Sequence, residues 1–187
     1  MPRPLLAVLG PLVVALAVPA SAPARDALVA GGGALTFVNV TTNAVSGRVV
    51  VGGATSAVAA APDGARGYVA SGRRVVTVDL AGRTVAASTT LTGAPLALAT
   101  TPNGSRLLAG RRGAVDVLGT IPAPTRLATI ALGAGAAPRA IAVAPDGLRA
   151  LVLLDRRRVA ILDLTSLTVA RRVRLTGAGG VAISSSG

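Results

Sequence analysis

The sequence predicts an all-β fold: a β-propeller of four-stranded antiparallel blades of about 40 residues, with about four blades' worth in the 187-residue chain. Three observations carry this reading. A Pro-Asp-Gly-type turn recurs at Pro62-Asp63-Gly64, Pro102-Asn103-Gly104 and Pro145-Asp146-Gly147, its glycines 40 and 43 residues apart. Each turn is flanked by short apolar runs of strand length. A second pair of such runs follows before the next turn, so every period holds four strands, as a blade that buries its faces against neighbouring blades requires.

The first residues read as an export signal. Arg3 gives a short positive start, Leu5 to Val18 is apolar apart from Gly10 and Pro11, and Val18 to Ala24 offers small residues for cleavage. Cleavage after Ala20 or Ala24 is favoured over Ala22, because Pro23 would then follow the scissile bond. The apolar run of about 14 residues falls short of the roughly 20 that span a bilayer. Residues 1–24 are therefore expected to be a signal peptide, and 25–187 a propeller domain without a transmembrane segment, secreted or held in the periplasm or cell envelope.

The repeat then sets the elements in order. Leu35 to Val40 followed by Ala44 to Val51 is the outer hairpin of the first blade. In the next three, Ala57 to Ala61, Leu96 to Thr101 and Ala140 to Ala144 precede the turn, and Gly67 to Ala70, Arg106 to Ala109 and Ala150 to Leu153 follow it. Proline presets one turn dihedral, Asp or Asn caps the turn, and glycine supplies the positive φ that returns the chain. Outer hairpins follow as Val75 to Leu80 with Thr84 to Leu91, Ala114 to Leu118 with Arg126 to Leu132, and Arg158 to Leu164 with Leu167 to Leu175. A degenerate turn, Ser185-Ser186-Gly187, comes 40 residues after Gly147 and is preceded by Val181 to Ser184. That last run either completes the first blade as its inner strand, closing a four-bladed ring, or begins a further blade of a larger propeller. An incomplete propeller would expose end faces that drive self-association.

Several segments resemble a known repeat. Leu35 to Val45 (LTFVNVTTNAV) and Val159 to Val169 (VAILDLTSLTV) resemble one half of a YVTN-type propeller repeat, Ala140 to Gly147 (AIAVAPDG) resembles the other, and Tyr68-Val69-Ala70 resembles its tyrosine-valine element. The resemblance covers residues 27–187. The Gly-His and Trp-Asp signatures of WD40 repeats are missing. Residues 95–133 depart from the pattern, with Gly119 where other blades have Asn39, Asp79 or Asp163, and with Pro122 and Pro124 in a longer loop.

Composition narrows the function. The 19 basic side chains are all Arg and the 7 acidic ones all Asp, giving a net charge of +12; His, Cys and Trp are absent. The commonest zinc, haem and iron–sulfur ligands are thus missing, as are Ser-His and Cys-His nucleophile pairs. The resemblance implies lactonase-like or quinoprotein-like propeller enzymes as one alternative. With no His, Glu or Trp to serve acid/base chemistry or stack a quinone, the residues favour a non-enzymatic scaffold, with no catalytic residue, metal or cofactor expected.

The candidate binding residues are Arg73, Arg74, Arg111, Arg112, Arg156, Arg157 and Arg158. All fall between the second and third strands of a blade, which places them around one rim, where clustered guanidinium groups would attract an anionic polymer or a protein partner. The plain alternative is a set of solvated hairpin tips. Specific nucleic-acid binding is not expected, since Tyr68 and Phe37 are the only aromatic residues and no stacking platform is available. Asn39, Asp79 and Asp163, like Asp63, Asn103 and Asp146, are expected to organise their own turns, and Asp116 and Asp155 to pair with nearby arginines. Gly31-Gly32-Gly33 is expected to be a strand-to-strand tip, because no helix N-terminus follows it to hold a phosphate.

Overall fold

The computed structural model describes residues 26–155 and 158–184, so the expected signal peptide, Arg156, Arg157 and the turn at 185–187 lie outside it. Among the described residues fifteen strands form four antiparallel sheets, each in chain order. The first sheet holds β1 (Asp26–Gly31), β2 (Ala34–Asn39) and β3 (Ala44–Val50). The second holds β4 (Thr55–Ala60), β5 (Arg66–Ser71), β6 (Arg74–Asp79) and β7 (Thr84–Thr90). The third holds β8 (Pro95–Thr100), β9 (Arg106–Arg111), β10 (Ala114–Gly119) and β11 (Thr125–Ala131). The fourth holds β12 (Ala140–Val143), β13 (Arg149–Asp155), β14 (Arg158–Asp163) and β15 (Thr168–Arg174).

The turn chemistry matches the residues that make it. Gly64, Gly104 and Gly147 have φ of 69°, 68° and 70°, and the preceding Asp63, Asn103 and Asp146 each accept the N–H two residues on through Oδ1 at 2.8–3.1 Å. In the outer hairpins, Asn39, Asp79 and Asp163 each accept two successive N–H groups, from Thr41 and Thr42, Ala81 and Gly82, and Thr165 and Ser166. These turns end on a left-handed residue, Asn43, Arg83 or Leu167. Every blade then carries a β-bulge at the same place, after Phe37, Thr77, Val117 and Ile161. An extra residue at a fixed point bends and twists the outer edge of each sheet alike.

Strand alternation gives each sheet a front that meets the next sheet and a back that meets the one before. Leu35 and Phe37 of the first sheet pack on Val69, Val76 and Val78 of the second. Tyr68, Ala70 and Val75 of the second pack on Leu107, Ala109 and Leu118 of the third. Val115 and Val117 of the third pack on Ala150, Val152, Ala160 and Leu162 of the fourth. Gly110 permits one close approach, since a Cβ there would lie 2.8 Å from the Pro138 Cβ.

The inner strands follow one another, with β1 against β4, β4 against β8 and β8 against β12. Closure by Val181 to Ser184 does not occur. This run forms no strand, and the first sheet has three strands rather than four. A four-residue segment led in by Gly177, Gly179 and Gly180 offers few ladder bonds against the chain entropy that the glycines must lose.

Candidate functional site

Because strands alternate in direction, the β5–β6, β9–β10 and β13–β14 connections share one end of the sheets with the links between blades. Arg73, Arg74, Arg112 and Arg158 all lie at this end and are exposed. Nη2 of Arg73 donates to the carbonyls of Leu91 (3.4 Å) and Thr92 (3.0 Å), which lays the guanidinium across the link leaving β7. Nη2 of Arg74 approaches the Val51 carbonyl of the preceding link at 3.5 Å. An arginine carries five N–H donors, so this seating leaves most of the fork for another acceptor.

Arg111 is different. Its Nε and Nη2 bind Oδ2 and Oδ1 of Asp116 at 2.7 and 3.2 Å, and Thr129 Oγ1 also donates to Asp116 at 2.6 Å. Asp116 is fully buried, so Arg111 serves as the counter-charge of a core carboxylate. Unlike Arg73, Arg74 and Arg112, it therefore has its charge neutralised by a carboxylate of its own blade. Arg156 and Arg157 lie outside the described residues.

The same end carries arginines that the strand-connection pattern omits. Arg48 donates to the Gly32 carbonyl at the β1–β2 tip, Arg139 lies on the link into β12, and Arg174 is the cross-strand partner of Arg158. The signal that could have found them is strand direction: the end of every fourth strand and the start of every first one share this rim.

Charge is distributed unevenly between the two ends. Asp26, Asp63, Asp79, Asp146 and Asp163 all sit at the opposite end, where they face Arg66, Arg83, Arg106, Arg126 and Arg149 in near balance. Two of those arginines tie blades together: Nη1 of Arg66 donates to the Thr120 carbonyl (3.1 Å) and Nη1 of Arg106 to the Leu164 carbonyl (2.6 Å). Arg83 reaches from the second blade to Asp26 at 3.2 Å and to the Ser46 carbonyl, with its guanidinium 4.9 Å from the centre of the Phe37 ring. At the arginine-rich rim, among the described residues, Asp155 stands at the end of β13 opposite Arg158, and Asp116 is paired with Arg111 in the core.

A cleft of about 520 Å3 opens between the outer edges of the second and third blades, lined by Arg73, Thr89 through Thr92 and Pro124 through Arg126. Thr89 Oγ1 donates across it to the Pro124 carbonyl. Two smaller cavities of about 260 Å3 each lie at the opposite end, where Asp146 or Asp63 shares the lining with Arg106 or Arg66. Of these three, the larger cleft combines two arginines with no carboxylate. Among the described residues no three Asp side chains converge as a metal site would require.

Successive four-stranded sheets, packed front to back with a repeated bulge and turn, define a propeller-like repeat fold. The sequence matches no family model and no curated protein. Among solved structures the chain is similar to Kuenenia stuttgartiensis hydrazine synthase, with a TM-score of 0.69 and 27% identity over 77% of this chain and 44% of that one. The chain therefore spans less than half the length of that protein.

Proposed function

We propose that this chain is an exported YVTN-type propeller scaffold that uses its arginine rim to bind an anionic polymer in the cell envelope or outside the cell. The observation that carries the reading is the charge asymmetry. Arg48, Arg73, Arg74, Arg112, Arg139, Arg158 and Arg174 share one end, whereas five of the aspartates share the other. Such an arrangement focuses positive potential on one face and presents forked donors that match sulfate, phosphate or carboxylate groups. The cleft between the second and third blades, which runs from Arg73 on the rim down to Arg126 at the start of β11, gives one such group a partly enclosed seat. A scaffold rather than an enzyme is favoured because the chain holds no His, Cys or Glu, and Asp26, Asp63, Asp79, Asp116, Asp146 and Asp163 are committed to turns or to arginine partners.

The test is retention on a heparin column. The double variant R74S/R112S is expected to elute at clearly lower salt than the parent. The control R149S/R171S removes the same formal charge from exposed positions off that rim and is expected to elute close to the parent. Equal losses in both would reduce the interaction to net charge and sink the assignment of a rim.

A further inference from the structure

The junctions between sheets are not alike at the aspartate end. Between the first and second sheets, methyl groups of Leu80 and Leu28 lie 3.0 and 3.4 Å from where a Cβ on Gly67 would be, so apolar atoms close that junction. Between the third and fourth, Leu108 and Leu164 belong to one core cluster. Tyr68 stands at the place of Leu28 and Leu108, since it pairs with Thr77 as Leu28 pairs with Phe37 and Leu108 with Val117. Thr120 follows β10 as Leu80 follows β6 and Leu164 follows β14. The junction between the second and third sheets therefore carries a phenol and a hydroxyl where its neighbours carry two leucines.

One of the two cavities of about 260 Å3 lies at this exchange, with Asp63, Arg66, Tyr68, Ser105 and Ile121 in its lining. Tyr68 is 1% exposed and its ring is part of the core, yet its hydroxyl has no hydrogen-bond partner among the described residues. Buried tyrosine hydroxyls ordinarily find one, and the cavity is the space in which a ligand can supply it. Thr120 Oγ1 turns instead to the Gly104 carbonyl at 2.6 Å. Arg66 and Asp63 line the same space without forming an ion pair. Nη1 of Arg66 is held on the Thr120 carbonyl at 3.1 Å, and Oδ1 of Asp63 takes the Ala65 N–H at 2.9 Å. The rest of the guanidinium fork and the second carboxylate oxygen are left to a ligand. The wall is completed by the outer turn that departs from the repeat. Its connection, 120–124, has five residues where the other blades have four (40–43, 80–83 and 164–167), and Ile121 on it is 78% exposed beside the cavity. A break in an otherwise self-consistent repeat is where function is expected.

We infer that this cavity binds a free α-amino acid with a small side chain. Its carboxylate meets Arg66 and the Tyr68 hydroxyl, its ammonium group meets Asp63, and Ile121 covers its side chain. Opposite charges that share a cavity unpaired suit a zwitterion better than a neutral sugar, and the Tyr68 ring, buried in the core, offers no face for a sugar to stack on. The volume is below the roughly 300 Å3 at which drug-sized pockets begin, which limits the ligand to a molecule of about one residue. The equivalent cavity between the third and fourth sheets has Asp146 and Arg106 but leucine at the place of the tyrosine, and serves as an internal control. The site lies at the opposite end from the arginine rim and does not depend on polymer binding there.

Tyr68 is the sole tyrosine and there is no tryptophan, so tyrosine emission from the purified chain reports on this cavity. L-alanine and L-serine are each expected to change it saturably. Ethylamine and propionate, which carry one charge each, and glucose are expected to leave it unchanged. Calorimetry with L-alanine then tests the residues. Y68F is expected to bind about tenfold more weakly, the loss of one hydrogen bond to a charged group. D63N keeps the turn, as Asn103 does, and is expected to weaken binding at least as much, whereas D146N, the same exchange at the control cavity, is expected to bind as the parent does. Y68L/T120L rebuilds the leucine pair of the other junctions and is expected to melt no lower than the parent while losing the ligand. No saturable response to either amino acid, an equal response to ethylamine, propionate or glucose, equal losses in D63N and D146N, or a folded Y68L/T120L protein with the parent's affinity would each overturn the inference.

Discussion

Val69 and Val29 stand at the same position in consecutive blades, on the same face and with equivalent strand partners, yet one is fully buried and the other is 52% exposed. The residue and its local backbone are the same; only the presence of a sheet opposite differs. In a repeat fold, burial therefore belongs to the junction rather than to the strand, and stability is distributed over nearest-neighbour interfaces. Truncating a side chain inside a junction should cost the fold far more than the same change at an exposed position.

The largest effect is expected at Phe37, which is 1% exposed between the first two sheets and lies under the Arg83 guanidinium. Phe37→Ala should destabilise the chain by about 3–5 kcal/mol, from lost transfer energy and the cavity left behind. Val29→Ala, one strand away on the opposite face, should stay within about 0.5 kcal/mol. Urea denaturation of both variants at low protein concentration measures the difference. Similar losses would mean that Val29 is packed within a single chain and would remove the contrast.

Asp116 tests the comparison from the polar side. It occupies the back-face position of Thr36, Val76 and Ala160, and it is tolerated at 0% exposure because Arg111 and Thr129 satisfy it. Asp116→Val should cost about 3 kcal/mol, since it strands a largely buried guanidinium. The double variant R111M/D116V should recover most of that loss, because removing both partners leaves no unpaired charge. Thermal melts of the two variants decide the matter. A double variant as unstable as the single one would show that the pair contributes more than mutual neutralisation. R111M/D116V should also keep the parent's polyanion retention, since Arg111 is withdrawn from the rim.

Much of this architecture was legible in the sequence because its causes are local. Period-2 alternation sets the two faces of every strand, and the Pro-Asp-Gly and Asx positions are recognised by chemistry confined to a few residues. That Asp116 would take an arginine was legible too, although the identity of the arginine depends on a hairpin register. The junction clamps were not legible: Arg66 and Thr120 are 54 residues apart and Arg106 and Leu164 are 58 apart, and nothing nearby marks either carbonyl as an acceptor. Arg83 and Leu167 in left-handed conformation were equally hidden, because a turn that wants glycine or asparagine there is instead held by the Asx bonds before it and the bulge after it. The arginine rim was only partly legible, since Arg48, Arg139 and Arg174 reach it through strand direction, and Arg111 leaves it through a partner on another strand.

The smallest effect is expected at the Asp163 side chain, whose bonds stay within its own turn. Asp163 accepts the Ser166 and Thr165 N–H groups, and these bonds, with a smaller contribution from Arg149, hold its pKa below the ordinary value of 3.8. A carboxylate whose pKa is depressed by folding stabilises the fold above the ordinary aspartate range. That contribution fades as the pH falls through the lowered value, because the unfolded chain then binds the proton first. Asp163→Asn preserves an oxygen acceptor without the charge, as Asn39 already does at the equivalent turn. Denaturant unfolding from pH 7 down to pH 3 should therefore show the variant slightly less stable than the parent at neutral pH and the gap narrowing as acid protonates Asp163. A gap that stayed constant with pH would place the effect in turn geometry instead of charge, and Asn39→Asp, the reverse exchange on the first blade, should then fail to introduce a new acid-sensitive contribution.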